Sequence, residues 1–85
     1  MFYVYLLKNK KSDRIYIGFS KDLKKRLKNH YHNSVKSTKN RGKYKLIYYE
    51  AFLSEKDARI RERSLKRQSR QKEFLLKNLK DSLSK

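Results

Sequence analysis

Three groups of side chains in this chain of 85 residues have the types and spacing for chemistry. The first is Arg26 and His30, four positions apart in a stretch with helical spacing. Residues four apart stack on one helix face. At about 100° per residue they fall beside the stripe of Leu23 and Leu27, not opposite it. A guanidinium and an imidazole at such an edge can point across a sheet. The plainer alternative is an Arg26 that snorkels to solvent and a His30 that covers the core edge. The second group is Glu62. It lies between Ala58 and Leu65 on the apolar face of a helical stretch, with Arg59, Arg61 and Arg63 around it. A carboxylate facing a core is costly unless it is paired or bound to metal. A metal ligand or catalytic carboxylate and a salt bridge to one of those arginines both satisfy this. The third group is phenolic. Tyr3 and Tyr5 repeat every two residues on an extended run, so they share a face. Tyr16 lies on the next such run, where an antiparallel return brings it near Tyr5. Ordinary amphipathic packing explains any single Tyr equally well.

The elements that hold these groups follow from pattern. Phe2 to Leu7 is a continuous apolar and aromatic run, as a buried strand would be. Lys8 to Arg14 contains Asn9, Ser12 and Asp13 and turns the chain. Ile15 to Phe19 is a second strand, pairing as an antiparallel hairpin. Ser20 reads as a helix N-cap, with Asp22 in the first turn where the dipole favours a carboxylate. Leu23, Leu27 and Tyr31 form the helical stripe. Asn33 to Lys43 has no period and reads as a basic loop. Tyr44 to Leu53 is a third strand. Ser54 caps a second helix, with Asp57 three residues on, and that helix runs to about Arg67. Ser69 marks a break and a new cap. Phe74, Leu75, Leu76, Leu79 and Leu83 supply the stripe of a third helix. The expected fold is α+β, in the order β-β-α-β-α-α, as one domain over residues 1–85.

Composition narrows the classes. Hydrophobic residues are 36% of the chain and charged residues 39%, so the core is modest. Domains this short bury only about 60% of their unfolded surface. The absence of Cys excludes disulfides, thiolate zinc sites and cysteine nucleophiles, and it suits a reducing, cytoplasmic setting. No apolar run approaches the roughly 20 residues of a membrane span. The apolar start, Met1 to Leu7, lacks a basic leader and a cleavage site, so it is expected to be structure. Twenty-five Lys and Arg against eight Asp and Glu give a net charge of +17. Such a charge favours polyanionic partners, nucleic acid first and an anionic membrane surface second.

Tyr3-Val4-Tyr5, followed by Tyr16-Ile17-Gly18, resembles the signature of the GIY-YIG nuclease superfamily. The helix Asp22 to His30, with Arg26 and then His30, is similar to the family's helix. Thr38, Arg41-Gly42 and Lys45 to Glu50 resemble the loop and third strand of small stand-alone bacterial members. Ala58-Arg59-Ile60-Arg61-Glu62 resembles the helix that carries the family's metal-binding Glu. The match runs in order along nearly the whole chain. The first motif has Tyr3 where the family name has Gly.

The resemblance implies a three-stranded antiparallel sheet flanked by three helices, and cleavage of phosphodiester bonds with one divalent metal. Glu62 would hold that metal, Mg²⁺ before Mn²⁺, because a single carboxylate suits a cation that keeps its waters and binds a phosphate oxygen. One of Tyr5 and Tyr16 would be the general base or orient the attacking water. His30 would take a proton from a phenol, and Arg26 would stabilise the phosphate charge. The family's last-helix Asn has one candidate here, Asn78. Larger members carry a second domain that selects the DNA. In this chain the loop cations Lys36, Lys39, Arg41 and Lys43 would hold the substrate, with Arg59, Arg61, Arg63, Lys66, Arg67 and Arg70. Phosphate contacts of this kind give affinity without sequence choice.

The expectation is a DNA endonuclease of low sequence specificity, acting on damaged, branched or distorted structures as in repair or recombination. RNA stays open as a substrate, and no membrane or obligate protein partner is implied. A non-catalytic nucleic-acid-binding module of the same fold is the alternative, and an RNA- or ribosome-associated basic protein a third. Tyr5, Tyr16, Arg26, His30 and Glu62 are expected to meet on one concave surface of the sheet.

Overall fold

The structure is a computed structural model that describes residues 1–31 and 44–85, with residues 30 and 31 described only by their place in a helix. The strands are β1 (Phe2–Asn9), β2 (Ile15–Ser20) and β3 (Tyr44–Phe52), and the helices α1 (Leu23–Tyr31), α2 (Glu55–Arg67), α3 (Ser69–Asn78) and α4 (Lys80–Leu83). The sheet order is β2-β1-β3, with both pairings antiparallel.

β1 is the centre of the sheet, and its continuous apolar run has a direct cause. Val4, Tyr5, Leu6 and Leu7 are all buried, because both faces of this strand are covered. Alternation sends Val4 and Leu6 into a core with Ile17, Ala58, Leu65 and Leu75. It sends Tyr5 and Leu7 the other way, into a second core with Tyr44, Leu23 and Leu27. The sheet therefore has an α2–α3 layer on one face and α1 on the other. A register shift between Leu6 and Leu7 skips one residue of β3. It turns both Ile47 and Tyr48 toward the α2–α3 layer.

Local polar groups close the elements. In the first turn Lys11 N donates to Asn9 Oδ1 at 2.8 Å, and Asn9 N donates to the Arg14 carbonyl at 2.9 Å. The α1 cap differs from expectation. Asp22, not Ser20, is the capping side chain: Lys25 N donates to Asp22 Oδ1 at 3.1 Å. Ser20 stands two residues back and accepts from Asp22 N at 3.0 Å. The α2 cap is as expected, with Asp57 N donating to Ser54 Oγ at 3.2 Å. The break before α3 is also present, but the cap position is Gln68, in extended conformation, and no side chain caps it. The third helix does not run through to Leu83. It ends at Asn78, and a short fourth helix follows Leu79. Leu75, Leu76 and Leu79 reach the core, whereas Phe74 is 69% exposed and leaves the expected stripe. Lys8 Nζ donates to the Leu83 carbonyl at 2.8 Å and ties this end to the sheet.

One close approach governs the α1 face. Gly18 is paired with Tyr5 across β1 and β2. The Tyr5 ring occupies the space where a side chain at position 18 would stand, and an added Cβ would collide with its Cζ and Oη atoms. The ring is fully buried and has no room to retreat. Gly18→Ala should therefore cost about 1–3 kcal/mol through overpacking. A thermal melt reads this as a fall of about 4–8 °C per kcal/mol, and an unchanged melting temperature would contradict the packing described.

Candidate active site

The site starts from that missing side chain. Because position 18 is empty, the Tyr5 ring crosses from the central strand over β2 to the sheet edge. Tyr16 stands on the same face of β2, opposite Leu7. Its ring centroid is 6.2 Å from that of Tyr5, with a 41° tilt. From above, α1 lowers Arg26 onto the pair, and Arg26 Nε donates to Tyr5 Oη at 3.3 Å. Three of the expected catalytic side chains thus meet on one face. His30 follows one turn after Arg26 on α1, and its side chain lies outside the described residues.

Burial separates the phenols. Burial pushes the Tyr5 phenol up to about 12, and the hydrogen bond from Arg26 only partly offsets this. Tyr5 is therefore neutral at pH 7. The same hydrogen bond raises the Arg26 pKa, so the guanidinium stays charged. Tyr16 is only half-buried.

Glu62 is not on this face. It stands on α2, in the layer across the sheet, so the expectation of one shared concave surface is corrected. The structure does bring it to the same strand. Arg59 lies over the Phe19 ring of β2 at 3.7 Å from its centroid, and Arg59 Nη1 is 3.9 Å from Glu62 Oε1. Glu62 Oε2 accepts from Lys66 Nζ at 3.0 Å. The Glu62 side chain is 17% exposed, against 48% for Lys66 and 51% for Arg59. So both the phenols and the carboxylate flank β2, an edge strand, from opposite sides.

The donor set bears on metal. Among the described residues no group of three or more His, Cys, Asp or Glu could hold an ion. Among the described residues Glu62 is a lone carboxylate, a donor that fits Mg²⁺, which keeps several waters and is completed by substrate phosphate. The ion pairs that occupy Glu62 now are to exposed side chains, and such pairs are weak.

Of the expected nucleic-acid contacts, Lys36, Lys39, Arg41 and Lys43 lie outside the described residues. Arg59, Arg63, Lys66 and Arg67 share one open cleft with Glu62, of about 250 Å³. Arg70 is exposed at the start of α3. Arg61 is drawn away from that group to the other flank of α2. Its Nε and Nη2 each donate to Glu50 on β3 at 2.9 Å. Tyr48 Oη also donates to Glu50, at 2.6 Å. Sequence reasoning missed this triad. The available signal was Glu50 two residues after Tyr48, hence on the same face of a strand. Asn78 is exposed at the end of α3.

The triad fastens α2, and with it Glu62, to β3. Burial pushes the Glu50 carboxyl up, but the hydrogen bonds from Arg61 and Tyr48 outweigh it and hold it below the usual 4.5. A carboxyl depressed in the folded state adds stability above its unfolded pKa and loses it as pH falls through the folded one. Glu50→Gln should cost about 1.5–3 kcal/mol at pH 7, the range for hydrogen bonds to a charged group. It should also flatten the loss of stability below pH 4.5. Urea melts at pH 7 and pH 3.5 check both, and an unaltered acid dependence would contradict the assignment.

The family model for the GIY-YIG catalytic domain matches residues 1–75. A UPF0213 protein of Clostridium perfringens is 38% identical over 77 residues, covering 89% of this chain and 82% of its own. A UPF0213 protein of Staphylococcus saprophyticus is 37% identical over 75 residues, covering 87% and 90%. The solution NMR structure of a UPF0213 protein from Bacillus halodurans matches with a TM-score of 0.58 and 35% identity. That match covers 94% of this chain and 86% of the other. Among the described residues no helix is long and apolar enough to cross a membrane. With the family model spanning the sheet, the phenol pair, Arg26 and Glu62, the chain belongs to the GIY-YIG catalytic domain family, a nuclease-type family.

Proposed function

We propose that the chain is a metal-dependent DNA endonuclease. It hydrolyses phosphodiester bonds with low sequence specificity, at distorted or branched structures of the kind met in repair or recombination. The observation that carries this reading is the Arg26–Tyr5 hydrogen bond beside Tyr16 at an open sheet edge. A fold alone needs no charged guanidinium held over two phenols.

The roles follow from charge and exposure. Arg26 offers its remaining N–H groups to a phosphate, where charge grows in the transition state. Tyr5 is fully buried, so it positions Arg26 through their hydrogen bond and leaves the contact with water to the half-buried Tyr16. Tyr16 is the phenol that receives the water's proton, and it must be a phenolate to do so. His30, one turn beyond Arg26, is the group to draw the proton from Tyr16. Glu62 is the residue that would hold Mg²⁺, or Mn²⁺ in its place. A bound divalent ion supplies positive charge to the phosphate oxygens and the leaving group. The basic cleft of Arg59, Arg63, Lys66 and Arg67 binds phosphates without reading bases. A second reading, a binding module without catalysis, rests on the ion pairs that already occupy Glu62.

Glu62→Gln separates the two. It keeps the side-chain length and removes the charge a hard cation needs. As a metal ligand, its loss should lower cleavage by several orders of magnitude, since a metal contributes several kcal/mol to the transition state. DNA affinity should hold or rise slightly, and the melting temperature should barely move. A folded variant that cuts as fast as wild type removes Glu62 from the mechanism. Binding itself should be salt-dependent and indifferent to sequence. About six phosphate contacts give a log–log salt slope near −5, measured by anisotropy titration, and a slope near zero would contradict phosphate anchoring.

A further inference from the structure

Next to Tyr5, on the same sheet face, is an open cleft of about 460 Å³. Tyr3, Tyr49, Leu23, Leu27, Lys21 and Lys24 form its walls. Register places both tyrosines beside the candidate active site: Tyr49 is directly across from Tyr5 on β3, and Tyr3 is two residues before it on β1. Their rings meet edge to face, with centroids 6.0 Å apart at 63°. Tyr49 is 52% exposed. A ring of that size left half in water, on a sheet face otherwise covered by α1, forgoes burial that its neighbours Leu46 and Tyr44 obtain. Leu23 and Leu27 make the opposing wall apolar. Lys21 and Lys24 stand exposed at the rim, and Lys21 has only a loose 3.5 Å pairing to Glu55. The one acid of the wall, Asp22, has its carboxylate engaged by the α1 cap.

A flat aromatic face, an apolar opposing wall and cations at the rim are what a nucleobase between two phosphates requires. We propose that this cleft takes an unpaired base of a DNA strand, stacked on Tyr49, with Lys21 and Lys24 on the flanking phosphates. The choice of DNA rests on the nuclease reading; the stacking subsite does not. A base still paired in a duplex is not free to enter the cleft. The preferred substrate is therefore DNA with an unpaired nucleotide beside the cut, such as a flap, gap or single strand.

The test is binding in the presence of a chelator, so that cleavage plays no part. Labelled oligo-dT and a blunt duplex of equal length are titrated with wild type, Tyr49→Ala and Tyr49→Phe, with circular dichroism as the fold check. Wild type should prefer the strand. Tyr49→Ala should lose about tenfold or more on the strand, the usual loss for a removed stacking ring. It should keep its duplex affinity, and Tyr49→Phe should keep both. Equal strand binding by wild type and Tyr49→Ala would overturn the subsite, as would equal losses on strand and duplex. Tighter, Tyr49-dependent binding of a matched RNA would overturn the choice of DNA. A chain that cuts DNA but ignores Tyr49 would sink this inference and leave the nuclease reading. Tyr49-dependent strand binding by a chain that cuts nothing would do the reverse.

Discussion

The Tyr5 ring lies where a side chain at position 18 would stand, and much of the α1 face depends on that contact. A phenol that starts on the central strand would otherwise end inside the sheet. With glycine opposite, it packs across Gly18 of β2, and its buried hydroxyl accepts from Arg26. The cost is burial of a polar group, which is tolerable because that hydrogen bond satisfies it. The same burial pushes the Tyr5 phenol up to about 12, while Tyr16 stands only half-buried beside it. One glycine thus links the register of the hairpin to the meeting of Tyr5, Tyr16 and Arg26.

The second half of the proposed site comes from the other layer. β1 is covered on both faces, so α1 and α2 sit across the sheet from each other and share only its edges. α2 is held from both flanks: Arg61 clasps Glu50 on β3, and Arg59 lies over Phe19 on β2. Alternate cations of one helix are thus sent to opposite edges, and Glu62 is left on the β2 side. A chain with a net charge of +17 pays for this concentration of cations in self-repulsion. A polyanion bound along the cleft of Arg59, Arg63, Lys66 and Arg67 relieves it.

The strands were legible because each is read from its own neighbours: β1 is apolar throughout since both its faces are buried. The phases of α1 and α2 were legible for the same reason, and they put Arg26 and Glu62 toward the sheet, whereas the third stripe misplaced Phe74 and ran past the break after Asn78. What phase does not carry is which side of the sheet a helix takes, so Glu62 was expected beside the phenols and lies across from them. The α1 cap was misplaced because Ser20 and Asp22 are both capping types two residues apart, and the backbone course between them decides. The Glu50 triad was hidden because a carboxylate in an alternating strand reads as solvent-facing, while its partner Arg61 lies on another element. The cleft of Tyr3 and Tyr49 arises from three elements at once, and tyrosines in strands signal packing first.

In the proposed mechanism Glu62 and the Tyr5–Tyr16 pair serve one reaction centre across the edge of β2. Paramagnetic broadening of backbone amide signals by Mn²⁺ tests it most directly, in the folded chain with an uncleavable DNA analogue bound. Broadening should centre on Glu62 and spread to Tyr16, Gly18 and Phe19 of β2, and it should vanish in Glu62→Gln. Broadening confined to α2, with the β2 amides untouched, would contradict a shared centre.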